Sequence, residues 1–149
     1  MDIRSPVNGT AGPANAAHRP PQNFALEADR ARLTPAALHA LLGLARAWKL
    51  TSQEAAELIG VSVSTWERIR GQSWRQSLSQ DQFMRTSAMI GIYKGLHLLF
   101  ADGMADRWIR LRNAGPLFAN RTPVEAMREE GIPGMLEIRH AIDALRGGL

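Results

Sequence analysis

An all-α fold is predicted by three features of the chain. Apolar residues recur at the three-and-four spacing of amphipathic helices, Ser or Thr followed three positions on by Glu or Gln opens several such stretches, and no alternating run is long enough for a sheet. With 45% hydrophobic residues among 149, the chain can bury one ordinary core, or two small ones sharing an interface. It shows no internal repeat.

Residues 1–31 carry Pro6, Pro13, Pro20 and Pro21 and few large apolar groups, so a disordered N-terminal tail is expected there. Its Arg4, His18 and Arg19 suit DNA phosphate or a plain solvated leader. From Thr34 the pattern turns helical, with Thr34 as N-cap, Pro35 at the first helical position, and Leu38, Leu41, Leu42, Ala45 and Trp48 on one side. Thr51 and Glu54 form a capping box that opens a short helix through Ile59, stopped by Gly60. Ser62 caps a further helix to about Arg70. Ser79 and Gln82 then open a long helix through Phe83, Ile90, Tyr93 and Leu96, closed by Gly103. Its Gly91 and Gly95, four apart, fit either a dimer contact or an intrachain crossing, and the intrachain crossing is the preferred reading. A short segment follows at Trp108–Leu111, then a turn at Asn113–Pro116. A helix capped by Thr122 and Glu125 ends at Gly131. A last helix carries Met135, Ile138, Ile142 and Leu145 on one face.

Eighteen Lys plus Arg, sixteen of them Arg, against fourteen acidic residues give a net charge of +4, which suits an anionic or protein partner. The absence of Cys excludes a disulfide framework, a thiolate metal site and a Cys nucleophile, and fits a cytoplasmic setting. The apolar run Thr86–Phe100 is interrupted by Lys94 and His97 and falls short of the roughly 20 residues of a membrane span. His18, His39, His97 and His140 lack ligand spacing and no glycine-rich loop follows a strand, so no enzyme, metal or cofactor is expected.

In Leu50–Gly71, small Ala56 sits four residues before Gly60, with apolar Ala55, Ile59, Val61, Trp66 and Ile69 around them. Two helices crossing at a tight turn need this pattern. Trp66 falls inward, leaving Ser62, Val63, Ser64, Thr65, Glu67, Arg68 and Arg70 as the candidate DNA-binding residues. Hydroxyls can meet phosphate or base edges, and Arg68 can reach guanine with two donors. Glu67 opposes phosphate unless it reads a cytosine amino group, while Lys49, Arg70 and Arg75 suit phosphate. The segment resembles the helix-turn-helix of the Xre family, related to phage repressors and Cro proteins, and implies a helix-turn-helix domain over residues 32–78.

Residues 79–149 then need their own explanation. The series Trp108-Ile-Arg-Leu-Arg-Asn113, Gly115-Pro-Leu-Phe118, Arg121-Thr-Pro-Val-Glu125-Ala-Met127, Gly131 and Arg146-Gly-Gly148 resembles the toxin-binding domain of the Xre/MbcA/ParS antitoxins. Read by themselves, Trp108, Leu111, Leu117, Phe118 and Met127 make a small core. Arg121, Arg128, Arg139, His140 and Arg146, with Gly147, Gly148 and Leu149, are the candidate toxin-binding residues. The resemblance implies an antitoxin of a type II toxin–antitoxin system that does no chemistry itself. Its partner would be a RES-domain toxin that degrades NAD, inhibited by covering its active site, and the antitoxin would repress its own operator DNA as a homodimer. The rival reading is a stand-alone repressor whose second half dimerises or senses a ligand.

Overall fold

A computed structural model describes residues 23–147. Among them the regular elements are seven helices, α1 (Glu27–Ala47), α2 (Ser52–Ile59), α3 (Val63–Arg70), α4 (Gln80–Leu99), α5 (Asp102–Trp108), α6 (Pro123–Glu130) and α7 (Ile132–Gly147), in agreement with the all-α expectation. Arg4, His18, Arg19, Gly148 and Leu149 lie outside the described residues.

The first helix starts seven residues earlier than Thr34, so residues 27–31 are helical rather than part of a disordered tail, and Thr34 is not a cap. Its hydroxyl is used inside the helix: it donates to the Arg30 carbonyl at 2.6 Å and accepts from the Leu78 amide at 3.1 Å. Arg30 adds Nε to the Leu78 carbonyl at 3.1 Å, so α1 holds both the N–H and the C=O of Leu78. Pro35 lies on the exposed side of α1, where the carbonyl its missing N–H leaves free can bond water.

Capping boxes form at Thr51/Glu54, Ser79/Gln82 and Thr122/Glu125, and Gly60 ends α2 with φ +81°, a value that glycine adopts without strain. Gly103 does not close the long helix. Phe100 caps α4 in an extended conformation, and Gly103 lies in the first turn of α5, which ends where the Trp108 segment was expected to begin. In the Asn113–Pro116 turn, the Asn113 side-chain oxygen accepts from the Gly115 amide at 2.9 Å.

One hydrophobic core runs from Ala37 to Ile142. The spine is α4, with α1 on one flank and α7 on the other. Gly91 lies against Arg139 and Gly95 against Ile142, so α4 and α7 run parallel, and the glycine pair serves an intrachain crossing. Near the far end Ile109 is fully buried, while Trp108 is half-buried and packs edge-on against Phe118 at 5.7 Å. Leu111, expected in this core, is 45% exposed, as is Leu145 at 59% on α7.

His97 ties α4 to α5. Its Nδ1 meets Asp102 at 3.0 Å and its Nε2 meets Asp106 at 2.8 Å, with the Tyr93 ring 4.3 Å away. Burial pushes the imidazole pKa down, but the two carboxylates outweigh it and hold the value above the ordinary one. A His raised on folding contributes stability that is complete below its unfolded pKa of about 6.5 and is lost as pH rises through the folded value. Thermal melts between pH 5.5 and 8.5 should therefore show a fall across that window that His97→Gln flattens. An unchanged slope in the variant would remove His97 as its source.

Candidate nucleic-acid interface

Two helices meeting at Gly60 set the site. Ala55, Ala56, Leu58 and Ile59 of α2 are buried, as are Trp66 and Ile69 of α3, so α3 is held by its inner face and its outer face is left to solvent. Trp66 is core, as its inward position predicts. The Ser62 hydroxyl accepts from the Thr65 amide at 3.1 Å and bonds the Thr65 hydroxyl at 3.0 Å, with Ser64 Oγ at 3.2 Å. Arg68 donates to Thr65 Oγ1 at 3.2 Å. Ser62, Val63, Ser64, Thr65 and Arg68 thus share the start and outer side of α3, with Val63 44% exposed.

Glu67 and Arg70 turn the other way. Glu67 accepts from the Ser52 hydroxyl on α2 and from Arg70 at 2.5 and 3.0 Å. The Ser52 and Arg70 hydrogen bonds hold its carboxyl below the usual carboxylate range. Glu67 is thereby a clip between α2 and α3, and it cancels the charge of Arg70. This removes the main objection that an acid on this helix raises against a phosphate-facing role.

Beside the open face lies a cleft of about 720 Å³. Arg30, Arg68 and Arg75 line it against the single carboxylate of Glu27 at its edge, together with Ser62 at the start of α3 and Ser79 at the start of α4. Helix starts present backbone N–H groups and a partial positive charge, so three guanidinium groups and two helix N-termini face one concave surface. Such a surface attracts phosphate oxygens. Lys49 stands apart, in the α1–α2 turn at φ +52°. Arg30 was missed by pattern reading because it lay in the stretch taken for a tail.

Residues 26–91 match the family of antitoxin Xre-like helix-turn-helix domains. Over 125 residues the chain is 30% identical to an uncharacterized protein, y4oB, of Sinorhizobium fredii, an overlap covering 80% of this chain and 91% of that protein. The chain thus carries an Xre-like helix-turn-helix domain and belongs to the same family as y4oB. No solved structure matches it.

The Xre-like match begins just before α1 and ends inside α4, so the other candidate residues of this chain lie beyond it. Two of them hold the fold. Arg121 pairs with Glu129 at 2.7 Å and Glu130 at 2.9 Å and donates to the Phe118 carbonyl at 2.8 Å, tying the turn before α6 to that helix's end. Arg128 donates to Glu57 at 2.6 Å, joining α6 to α2. Both were singled out because no fold role was visible in sequence. Their carboxylate partners are eight, nine and seventy-one positions away, beyond any local pattern. On α7, His140 and Gly147 are exposed, Arg139 lies across Gly91, and Arg146 pairs with Asp143 at 3.5 Å. Among the described residues, no helix is long and apolar enough to cross a membrane.

Proposed function

We propose that this chain neutralises a RES-domain, NAD-degrading toxin by covering its active site, as an antitoxin of the Xre/MbcA/ParS type in a type II system. In this reading it also represses its own operon as a dimer and works in the cytoplasm, where NAD and the operator are found. The observation that carries the reading is the union, in one core, of a helix-turn-helix with an uncommitted outer face and a terminal helix with outward polar groups. On the DNA side the working residues are Ser62, Val63, Ser64, Thr65 and Arg68, with Arg30 and Arg75 on phosphate. On the toxin side they are Arg139, His140 and Arg146, continuing into Gly147, Gly148 and Leu149, where two glycines permit close backbone approach. Arg121 and Arg128 act through the fold rather than by contact.

The deciding experiment co-expresses the chain with the product of the adjacent gene and follows growth, cellular NAD and co-purification. Association with rescue of both growth and NAD is expected. A neighbour that is harmless alone, or no association, rejects the toxin assignment and favours a stand-alone repressor. Removing residues 147–149 should weaken neutralisation, and undiminished rescue would remove the terminus from the contact. For DNA, Arg68→Ala should weaken binding of the upstream region by about 1–3 kcal/mol if it reads a base edge. A gel shift equal to that of the unaltered chain would discard that role.

A further inference from the structure

The exposed flank of α1 is self-complementary. Along it lie Glu27, Ala31, Pro35, Leu38, Leu42 and Arg46, at the four, four, three, four and four spacing of one helical stripe. When two such helices are laid antiparallel about a two-fold axis between residues 36 and 37, Glu27 falls opposite Arg46, Ala31 opposite Leu42, and Pro35 opposite Leu38. The middle of the stripe is apolar and its two ends carry opposite charges. Glu27 and Arg46 are both exposed.

The ground beside the stripe matches. A groove of about 620 Å³ runs between this flank and the 72–77 loop, floored by half-buried Leu38 and Leu42 with Ile69 and Trp74. Its cationic groups are Arg46 and Arg75, and no carboxylate lines it. An occupant therefore has to bring apolar side chains in helical register and at least one acid at the Arg46 end. The start of α1 from a second copy brings both.

We infer that α1 is the seam of a two-fold dimer of this chain, with the α1 stripe of each copy seated in the groove of the other. The inference rests on the dimeric reading above and names the surface it uses. A closed pair of this kind is isologous, so each Glu27–Arg46 contact occurs twice. The same 72–77 loop borders the basic cleft, so the seam lies next to the candidate DNA surface on each copy.

Sedimentation equilibrium of the full chain, at low salt and over a range of concentrations, tests this. Glu27→Arg alone and Arg46→Glu alone should each weaken self-association about tenfold, since each places like charges opposite one another at two sites. The combined Glu27→Arg/Arg46→Glu chain should return to within about twofold of the original. The protein has no Cys, so a chain carrying both Ala31→Cys and Leu42→Cys offers only those thiols. Eleven residues of helix hold them about 16 Å apart within one copy, beyond the reach of a disulfide. Oxidation should therefore yield a covalent dimer joined 31 to 42, with helix content by circular dichroism unchanged. A dimer indifferent to both single reversals, with no 31–42 cross-link, would overturn the α1 seam while leaving a dimeric antitoxin intact. A chain that stays monomeric throughout would overturn both.

Discussion

Replacing Gly95 by leucine is expected to push α7 off α4 and lower stability by about 1–3 kcal/mol, the range found for overpacked cores. Two effects oppose each other at this position. Leaving glycine in mid-helix costs about 1 kcal/mol against a good helix former, so propensity alone favours the change. A Cβ at Gly95, however, would stand 2.6 Å from Ile142 Cγ2, and Ile142 is 2% exposed. A branched side chain that is locked by its neighbours has one strongly preferred rotamer in a helix and cannot swing clear. The contact therefore wins, and the larger side chain makes it worse. Gly43 is the control: nothing stands within 4 Å of a Cβ there, so Gly43→Ala should stabilise by about 0.5–1 kcal/mol. Urea unfolding of both variants reads the contrast directly. If Gly95→Leu matches or exceeds the unaltered protein, the α4–α7 crossing is looser than the structure shows. If α7 carries the proposed toxin contacts Arg139, His140 and Arg146, the same substitution should also weaken toxin rescue while sparing α3.

Arg110→Ala is expected to lose about 2–3 kcal/mol, the scale of several charge-assisted hydrogen bonds removed at once. Arg110 donates Nε to the Trp48 carbonyl at 2.7 Å and Nη2 to the Lys49 carbonyl at 2.8 Å, closing the C-terminal end of α1. Its guanidinium also meets Glu54 at 2.6 and 3.2 Å. One side chain thus ends α1, steadies the left-handed Lys49, and locks the turn after α5 onto the first turn of α2. Lysine keeps the charge but not the planar set of donors, so Arg110→Lys should recover less than half the loss. Burial pushes the Glu54 carboxyl pKa up, yet Arg110 and the Thr51 amide overcome it and set it below the ordinary value. A depressed carboxylate contributes stability present above about pH 4.3 and lost as pH falls through the folded value. The gap between Arg110→Ala and the unaltered chain should therefore narrow on acidification below that point. A gap that is constant to pH 3 would mean the Glu54 contact contributes nothing.

Local grammar made α2, α3, α4 and α6 readable, because each opens with a hydroxyl that bonds an amide three residues on, a contact confined to one turn. The same grammar misled at Thr34-Pro35, which spells a helix start. There the hydroxyl serves the distant Leu78, and the proline sits where solvent can bond the orphaned carbonyl. The outer face of α3 followed from the inward placement of Trp66 and Ile69. The charge on that face did not, since Glu67 is neutralised by Arg70 and engaged by Ser52 across the helix turn. Arg110, Arg121 and Arg128 were opaque for a common reason: nothing near them in sequence shows what they hold, and guanidinium is equally suited to a partner's surface and to a remote carboxylate in the same chain.

The parallel seating of α7 on α4 also bears on how such a protein can be taken apart. Its reading helices are not a cassette that ends neatly where the family resemblance does, because α4 serves as a wall for both sides. A fragment stopping after Phe100 would turn the Gly91–Gly95 strip of that wall, covered by Arg139 and Ile142 in the whole protein, toward water. A cut between α4 and α7 is therefore expected to destabilise the helix-turn-helix side as well, because α4 packs against both α1 and α7.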